Sequence, residues 1–418
     1  MRDLSGEKNQ LIPSENFPEG YWGIFHDPHN VPTSRFDSFR TTIDNFGTKI
    51  GHSAQISPMR VLRPVEIESK RWIQSTLNTD KTLSIDEFCR LVRGDLPAIV
   101  LVKDSVQFKD PDSVNPEKDN LRKYSAITIV NLYTPMGRQL LKNDQSLLKD
   151  ISLGYPLIHL TTKHYTRLED VPTEELVKLL QNTVISHKLI EKRHKASNLA
   201  PMPIFHFFNI GAHAGASIFH LHSQSYIYTN KKGHGWKVQG FLVAFEDHKR
   251  FSQDPLYCLG CEYPNYPKND LFGQELHIEK RLIWKNKHWL LVAEYAPERD
   301  GHLRILPQRH ISRLSACSEE ELESLAKILK IANLGLSAFI EKWGEHYKVL
   351  QDRNILFRQQ HLGYASTHML IEIIPIQHVG GAEVFDDHRI CHIYPEITAQ
   401  FIRDAIQQHE KTTFKDVP

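Results

Sequence analysis

Two stretches of this chain repeat one pattern of apolar and polar positions. PLIHLTT (156–162) and HLRILP (302–307) are short apolar runs of strand length. A polar segment with a histidine follows each, His164 in the first and His310 in the second. Then comes an amphipathic helix, with Leu176, Leu179, Leu180 and Val184 on one stripe and Leu322, Leu325 and Leu329 on the other. Ser318 and Glu321 have the spacing of a capping box, which predicts where the second helix starts. Arg167-Leu168 and Glu175-Leu176 recur 146 residues later as Arg313-Leu314 and Glu321-Leu322. The register continues at an offset of 148, where His220 matches His368, with Gly215 before the one and Gly363 before the other. Each copy ends in an apolar strand, FHLHSQSYIY or HMLIEIIPI. The pattern predicts an α+β fold of two tandem units, each an antiparallel sheet carrying a long helix, over residues 1–240 and 241–418.

Residues 65–125 fit neither copy. They are rich in charge, include the polar run KDPDSVNPEKDNLRK, and read as an insertion with an exposed loop. The 418 residues carry 51 Lys+Arg against 50 Asp+Glu, so no broad basic surface for a nucleic acid polymer or an anionic membrane is expected. No apolar run is long enough to span a bilayer and MRDLSGEKNQ does not read as a signal peptide. Five scattered cysteines do not make a disulfide framework, and a reducing cytoplasm is the expected setting.

Chemistry concentrates in SIFHLHSQ. Alternation along a strand puts His220, His222 and Gln224 on one face, with neighbours roughly 6.5–7 Å apart. The loop before them, NIGAHAGAS, can turn backbone N–H groups toward an anion. Two imidazoles and a carboxamide beside an anion-sized loop point to chemistry at phosphorus, since a neutral imidazole is a nucleophile that can pass a phosphoryl group onward.

The order N-x(5)-G-x-S-x-x-H-x-H-x-Q, met by Asn209, Gly215, Ser217, His220, His222 and Gln224, resembles the active-site motif of galactose-1-phosphate uridylyltransferase and its relative ADP-glucose phosphorylase, in the histidine-triad superfamily. ISPMRVLRP, with Arg60 and Arg63, is similar to an early segment of that family, and NLYTP, with Asn131, to its nucleotide-contacting segment. GGAEVFDDHRICHIYPEITAQFIRDA is similar to its sugar-binding tail and places Glu383 at the glutamate position. The resemblance implies two histidine-triad-like units and a cytoplasmic nucleotidyltransferase or phosphorylase acting on a nucleoside-diphosphate sugar, with a sugar 1-phosphate or phosphate as acceptor. His222 would carry the nucleotidyl group and Gln224 would hold a phosphate oxygen. Asn209, Gly215 and Ser217 would bind phosphate, Arg60, Arg63 and Asn131 the nucleotide, and Glu383 the sugar. A homodimer is also compatible with it. Two competing readings are a dinucleoside polyphosphate phosphorylase, which also uses H-x-H-x-Q, and a zinc-stabilised nucleotide-binding protein without turnover.

Cys258 and Cys261 form a C-x-x-C, half of a common tetrahedral zinc site. The resemblance supplies His310 and His368 as the other half, with His302 as a substitute for His310. The first copy has His164 and His220 at the matching positions but no C-x-x-C before them, and Cys89 stands alone. These histidines either simply hydrogen-bond or hold a metal with carboxylates that the sequence does not single out. The second copy has Leu370 and Glu372 where the first has His222 and Gln224, so only the first is expected to be catalytic.

Overall fold

A computed structural model describes residues 33–43, 49–56, 86–93, 99–102, 105–108, 121–131, 137–138, 153–196, 203–228, 233–270, 273, 275–361, 367–386 and 389–413. Within them, β7 (Leu153–Thr161), α2 (Thr173–Ala196), β8 (Ile204–Ile210) and β9 (His222–Tyr228) follow one another. The same order returns as β13 (Leu303–Pro307), α6 (Glu319–Tyr347), β14 (Val349–Arg358) and β15 (Leu370–Gln377). Ser318 caps α6 as its spacing predicts: its side chain accepts from the Glu321 N–H while Glu321 reaches back to the Ser318 N–H.

The separate sheets expected for the two copies are one continuous sheet. Strands β8 and β14 pair antiparallel, Phe207 opposite Leu356 and Asn209 opposite Asn354. The strand order is β11 (Leu282–Lys285), β12 (Trp289–Ala293), β13, β15, β14, β8, β9, β7, β5 (Ala126–Val130), β3 (Ile99–Val102) and β4 (Ser105–Phe108). Short β6 (Gly137–Arg138) lies parallel to β7, and every other pair in this sheet is antiparallel. A second sheet holds β1 (Thr33–Ile43), β2 (Lys49–Ile56) and β10 (Gly233–His234).

Both predicted helix stripes are buried. Leu176, Leu179, Leu180 and Val184 of α2 and Leu322, Leu325 and Leu329 of α6 share one core with Phe208, Ile355, Ile371 and Ile373 of the sheet. Helix α8 (Pro395–Thr413) closes this layer. A Cβ on Gly335 of α6 would fall 2.5 Å from Ile402, so the close approach of the two helices requires glycine. On the opposite sheet face α1 (Glu87–Arg93) packs Phe88, Leu91 and Val92 against Ile127, Ile158, Leu160 and Ile218. The remaining helices, in chain order, are α3 (Trp236–Ser252), α4 (Leu259–Glu262), α5 (Ile278–Arg281) and α7 (Gly381–Asp386). Among the described residues no helix is long and apolar enough to cross a membrane.

Candidate active site

Strand β9 sets the site. In its register His222 opposes Leu160, and Gln224 opposes Ile158 on one side and Phe207 on the other, so His222 and Gln224 share the α1 face. His222 is 4% exposed, and the Phe88 ring meets it edge to face at 5.0 Å. Its Nδ1 lies 2.8 Å from the His220 carbonyl oxygen. A carbonyl only accepts, so Nδ1 carries the proton and Nε2 keeps the lone pair. Burial, the dominant cause, pushes the imidazole down to about 4, so the ring is neutral near pH 7. Its Nε2 therefore carries a free lone pair without a base having to remove a proton.

Gln224 Nε2 sits 3.4 Å from His222 Nε2. The orientation of that amide is set by Tyr226, whose hydroxyl donates to Gln224 Oε1 at 2.7 Å. The amide nitrogen is left facing His222 Nε2. Tyr226 was not among the expected site residues, although it continues the alternation H-x-H-x-Q-x-Y.

The loop before β9 turns on two glycines with left-handed backbone, Gly211 (φ 88°) and Gly215 (φ 94°). It closes through Gly215 N to Ala212 O, 2.9 Å, and Ala216 N to Gly211 O, 3.1 Å. Asn209 lies at its base, and a Cβ on Gly215 would come 3.4 Å from Asn209 Nδ2. Ser217 is half-buried on the same loop.

The remaining expected residues are not gathered here. Asn131 is buried at the end of β5, its N–H bonded to Pro156 O at 2.9 Å. That is four residues along β7 from Leu160, roughly 13 Å from the level of His222. Glu383 accepts from Gly380 N at 2.7 Å and pairs with Arg299 at 3.3 Å, partners that all belong to the second copy. Arg60 and Arg63 lie outside the described residues.

At the position matching the site in the second copy, Glu372 accepts from Arg358 at 2.7 Å and Arg304 at 3.1 Å. Burial raises its carboxyl, but those two guanidinium groups hold it down to about 2. Their charge is already matched, so that position offers no nucleophile and no spare cation. His302 stands 3.9 Å from Glu372 and its Nδ1 accepts from Glu298 N, so it is not the substitute ligand.

Two side-chain clusters fit a metal. Cys258, Cys261, His310 and His368 bring their ligand atoms within 4.8 Å of one another. His368 Nδ1 is 3.6 Å from both sulfurs, and His310 Nδ1 is 3.5 Å from Cys261 Sγ. Tetrahedral zinc bonds of about 2.1–2.3 Å give ligand–ligand edges of about 3.6 Å. The second nitrogen of His368 faces the Pro307 carbonyl at 3.1 Å, which fixes Nδ1 as the ligand atom.

The first copy has its own cluster, in a form the sequence did not single out. Asp86, Cys89, His164 and His220 also lie within 4.8 Å of one another. Asp86-x-x-Cys89, at the start of α1, stands where Cys258-x-x-Cys261 stands at the start of α4. Asp86 is the missing carboxylate. Its Oδ2 is 2.8 Å from His164 Nδ1, and Cys89 Sγ is 3.6 Å from His220 Nδ1. His220 Nε2 faces Thr161 O at 2.7 Å, the counterpart of the contact between His368 and Pro307. Either cluster can hold zinc with a thiolate, imidazoles and, in the first, a carboxylate.

A third cluster behaves differently. His159 Nε2 (2.8 Å), His187 Nε2 (2.8 Å) and His206 Nδ1 (2.9 Å) all reach Ser225 Oγ on the helix-covered face beneath the site. Zinc–nitrogen bonds are about 2.0–2.1 Å, and the hydroxyl occupies the centre where an ion would sit. A hydroxyl donates once and accepts twice, which suits three neutral imidazoles. This is a hydrogen-bonded hub.

No family model matches the chain. It is 25% identical over 171 residues to galactose-1-phosphate uridylyltransferase of Thermotoga maritima, covering 41% of this chain. The chain spans about half of that relative, 47% of its length. Among solved structures it is similar to a uridylyltransferase mutant, with TM-score 0.55 and 24% identity over 68% of this chain and 90% of that one. It is also similar to an ADP-glucose phosphorylase from Arabidopsis thaliana with bound ADP-glucose, with TM-score 0.56 and 20% identity over 89% and 99% of the two chains. At these identities the solved structures show the shared fold.

Proposed function

We propose that this member of the galactose-1-phosphate uridylyltransferase and ADP-glucose phosphorylase family, within the histidine-triad superfamily, moves a nucleoside monophosphate from a nucleoside-diphosphate sugar to an anionic acceptor through His222. Its two tandem histidine-triad-like units, over 1–240 and 241–418, divide the work, and only the first carries the chemistry. The observation behind this reading is the His222 side chain: Nδ1 is committed to the His220 carbonyl and Nε2 faces the Gln224 amide.

In the first step Nε2 forms a bond to the α-phosphorus while the bond from that phosphorus to the bridging oxygen breaks. The electron pair leaves with the sugar 1-phosphate. In the second step an oxygen of phosphate or of a sugar 1-phosphate attacks the same phosphorus, and the N–P bond returns its pair to Nε2. No proton has to move in either direction. That matches Gln224, whose carboxamide can hydrogen-bond to a phosphate oxygen but cannot act as an acid near neutral pH. Asn209 and Ser217, with the glycine loop, hold the phosphates, and in the same reading Arg60, Arg63 and Asn131 bind the nucleotide. Glu383 is the sugar-contacting residue. Zinc held by Cys258, Cys261, His310 and His368, and metal held by Asp86, Cys89, His164 and His220, would supply structure by tying α4 and α1 to the sheet.

Product analysis tests this. With UDP-glucose or ADP-glucose as donor, nucleotide transfer should need phosphate or a sugar 1-phosphate, follow ping-pong kinetics, and leave little free nucleoside monophosphate. Free monophosphate forming as fast without an acceptor would make the protein a hydrolase instead.

A further inference from the structure

We infer that Asn354 and Asp352, on strand β14 of the second unit, are positioning residues for the loop that grips phosphate in the first. The inference rests on reading 209–217 as that loop.

Asn354 Nδ2 donates to two acceptors, the Ala214 carbonyl at 3.0 Å and Asn209 Oδ1 at 2.8 Å. The two contacts differ in what they decide. Ala214 O can only accept, so it fixes which end of the Asn354 amide faces the loop. Facing an N–H, Asn209 must then present its oxygen. Its own Nδ2 is thereby turned toward Gly215, the side from which an anion approaches the glycine loop. A flipped Asn209 would show a carbonyl oxygen to phosphate, and the two would repel. Asn354 thus sets the polarity of a phosphate-binding group to which it is joined across the β8–β14 seam, 145 residues away in sequence.

Asp352 holds the other end of the loop. Its Oδ2 accepts from the His213 N–H at 2.7 Å and lies 2.8 Å from His213 Nδ1. A Cβ on Gly211 would land 2.2 Å from the Asp352 carboxyl carbon, so the carboxylate reaches the backbone only because residue 211 is glycine. Strand β14 therefore clamps the loop at its first turn and again beside Asn209. The second unit, which lacks a nucleophile, completes the phosphate site of the first.

The test uses the full chain in a His222→Gly background, where binding is read without chemistry, with ADP and UDP titrated calorimetrically. Asn354→Asp keeps the shape but replaces the donor by an acceptor, which forces Asn209 to turn. It should weaken nucleotide binding about tenfold or more. In an added Asn209→Ala background the same change should cost less than about twofold, because the amide being oriented is gone. Asn354→Ala, which leaves Asn209 free, should show a smaller loss with the same dependence, and serves if the Asp variant does not fold. Losses that persist undiminished in the Asn209→Ala background would overturn the inference, as would failure of either nucleotide to bind the parent protein. Binding that depends on Asn354 in a protein that never transfers nucleotide would keep the inference and remove the catalytic reading.

Discussion

His222 is kept neutral by burial and aimed by one backbone carbonyl, and its partner Gln224 is aimed by one phenol. This makes Tyr226 the most informative single residue after the nucleophile. Tyr226→Phe removes the hydroxyl that fixes the Gln224 amide and leaves the ring in place. Turnover should fall about tenfold while KM stays nearly constant, because the lost hydrogen bond matters most when charge builds on the phosphate oxygen. Steady-state kinetics with UDP-glucose or ADP-glucose decide it, and an unchanged kcat would show that Gln224 needs no such support. The core of the site was legible in the sequence because its residues are local, with His222 and Gln224 spaced by the strand period, although β9 begins at His222 and His220 lies just before it. Tyr226 was equally legible by that period but carries no distinctive chemistry of its own. Asn354 and Asp352 were not, since nothing local ties them to a loop in the other half.

At the scale of elements, the two candidate metal clusters show how a repeat can keep its geometry while changing its side chains. The short helices α1 and α4 each start on an x-x-Cys segment and press two donors against a histidine pair. The sequence disclosed the C-x-x-C, and the family resemblance its two histidines, whereas Cys89 stood alone inside an unrepeated segment and nothing there singled out Asp86. Metal analysis of the purified chain should find about two ions per molecule. Cys261→Ser should lower the count by about one and bring Tm down with it, because the binding free energy of a structural metal is folding free energy. Asp86→Ala should do the same for the other ion. A metal-free protein of undiminished stability would refute both assignments. The apolar stripes of α2 and α6 were readable for the usual reason, a 3.6-residue period. The fusion of both sheets through β8 and β14 was not, because edge pairing between distant strands leaves no periodic trace.

For the molecule as a whole, the hub of His159, His187 and His206 around Ser225 sets an acid limit. Burial pushes all three imidazoles down, His187 to about 4, so the folded chain excludes protons that the unfolded chain accepts near 6.5. Their contribution is complete above pH about 6.5 and is lost progressively as pH falls toward 4. By pH 5 the loss at His187 alone is about 2 kcal/mol. Urea midpoints should therefore drop between pH 7 and pH 5, and His187→Gln, which cannot take a proton, should drop less. The comparison with the variant separates the hub from everything else that changes between those two pH values. Equal slopes for both proteins would mean that the hub does not titrate. The central claim, that His222 itself carries the nucleotide, is met most directly by trapping it. The chain is mixed with UDP-glucose or ADP-glucose labelled at the α-phosphorus, quenched in base, and digested. The label should sit on His222, survive alkali, be lost in acid, and vanish in a folded His222→Gly variant. Label that persists in that variant, or an active protein that never acquires one, would contradict the account.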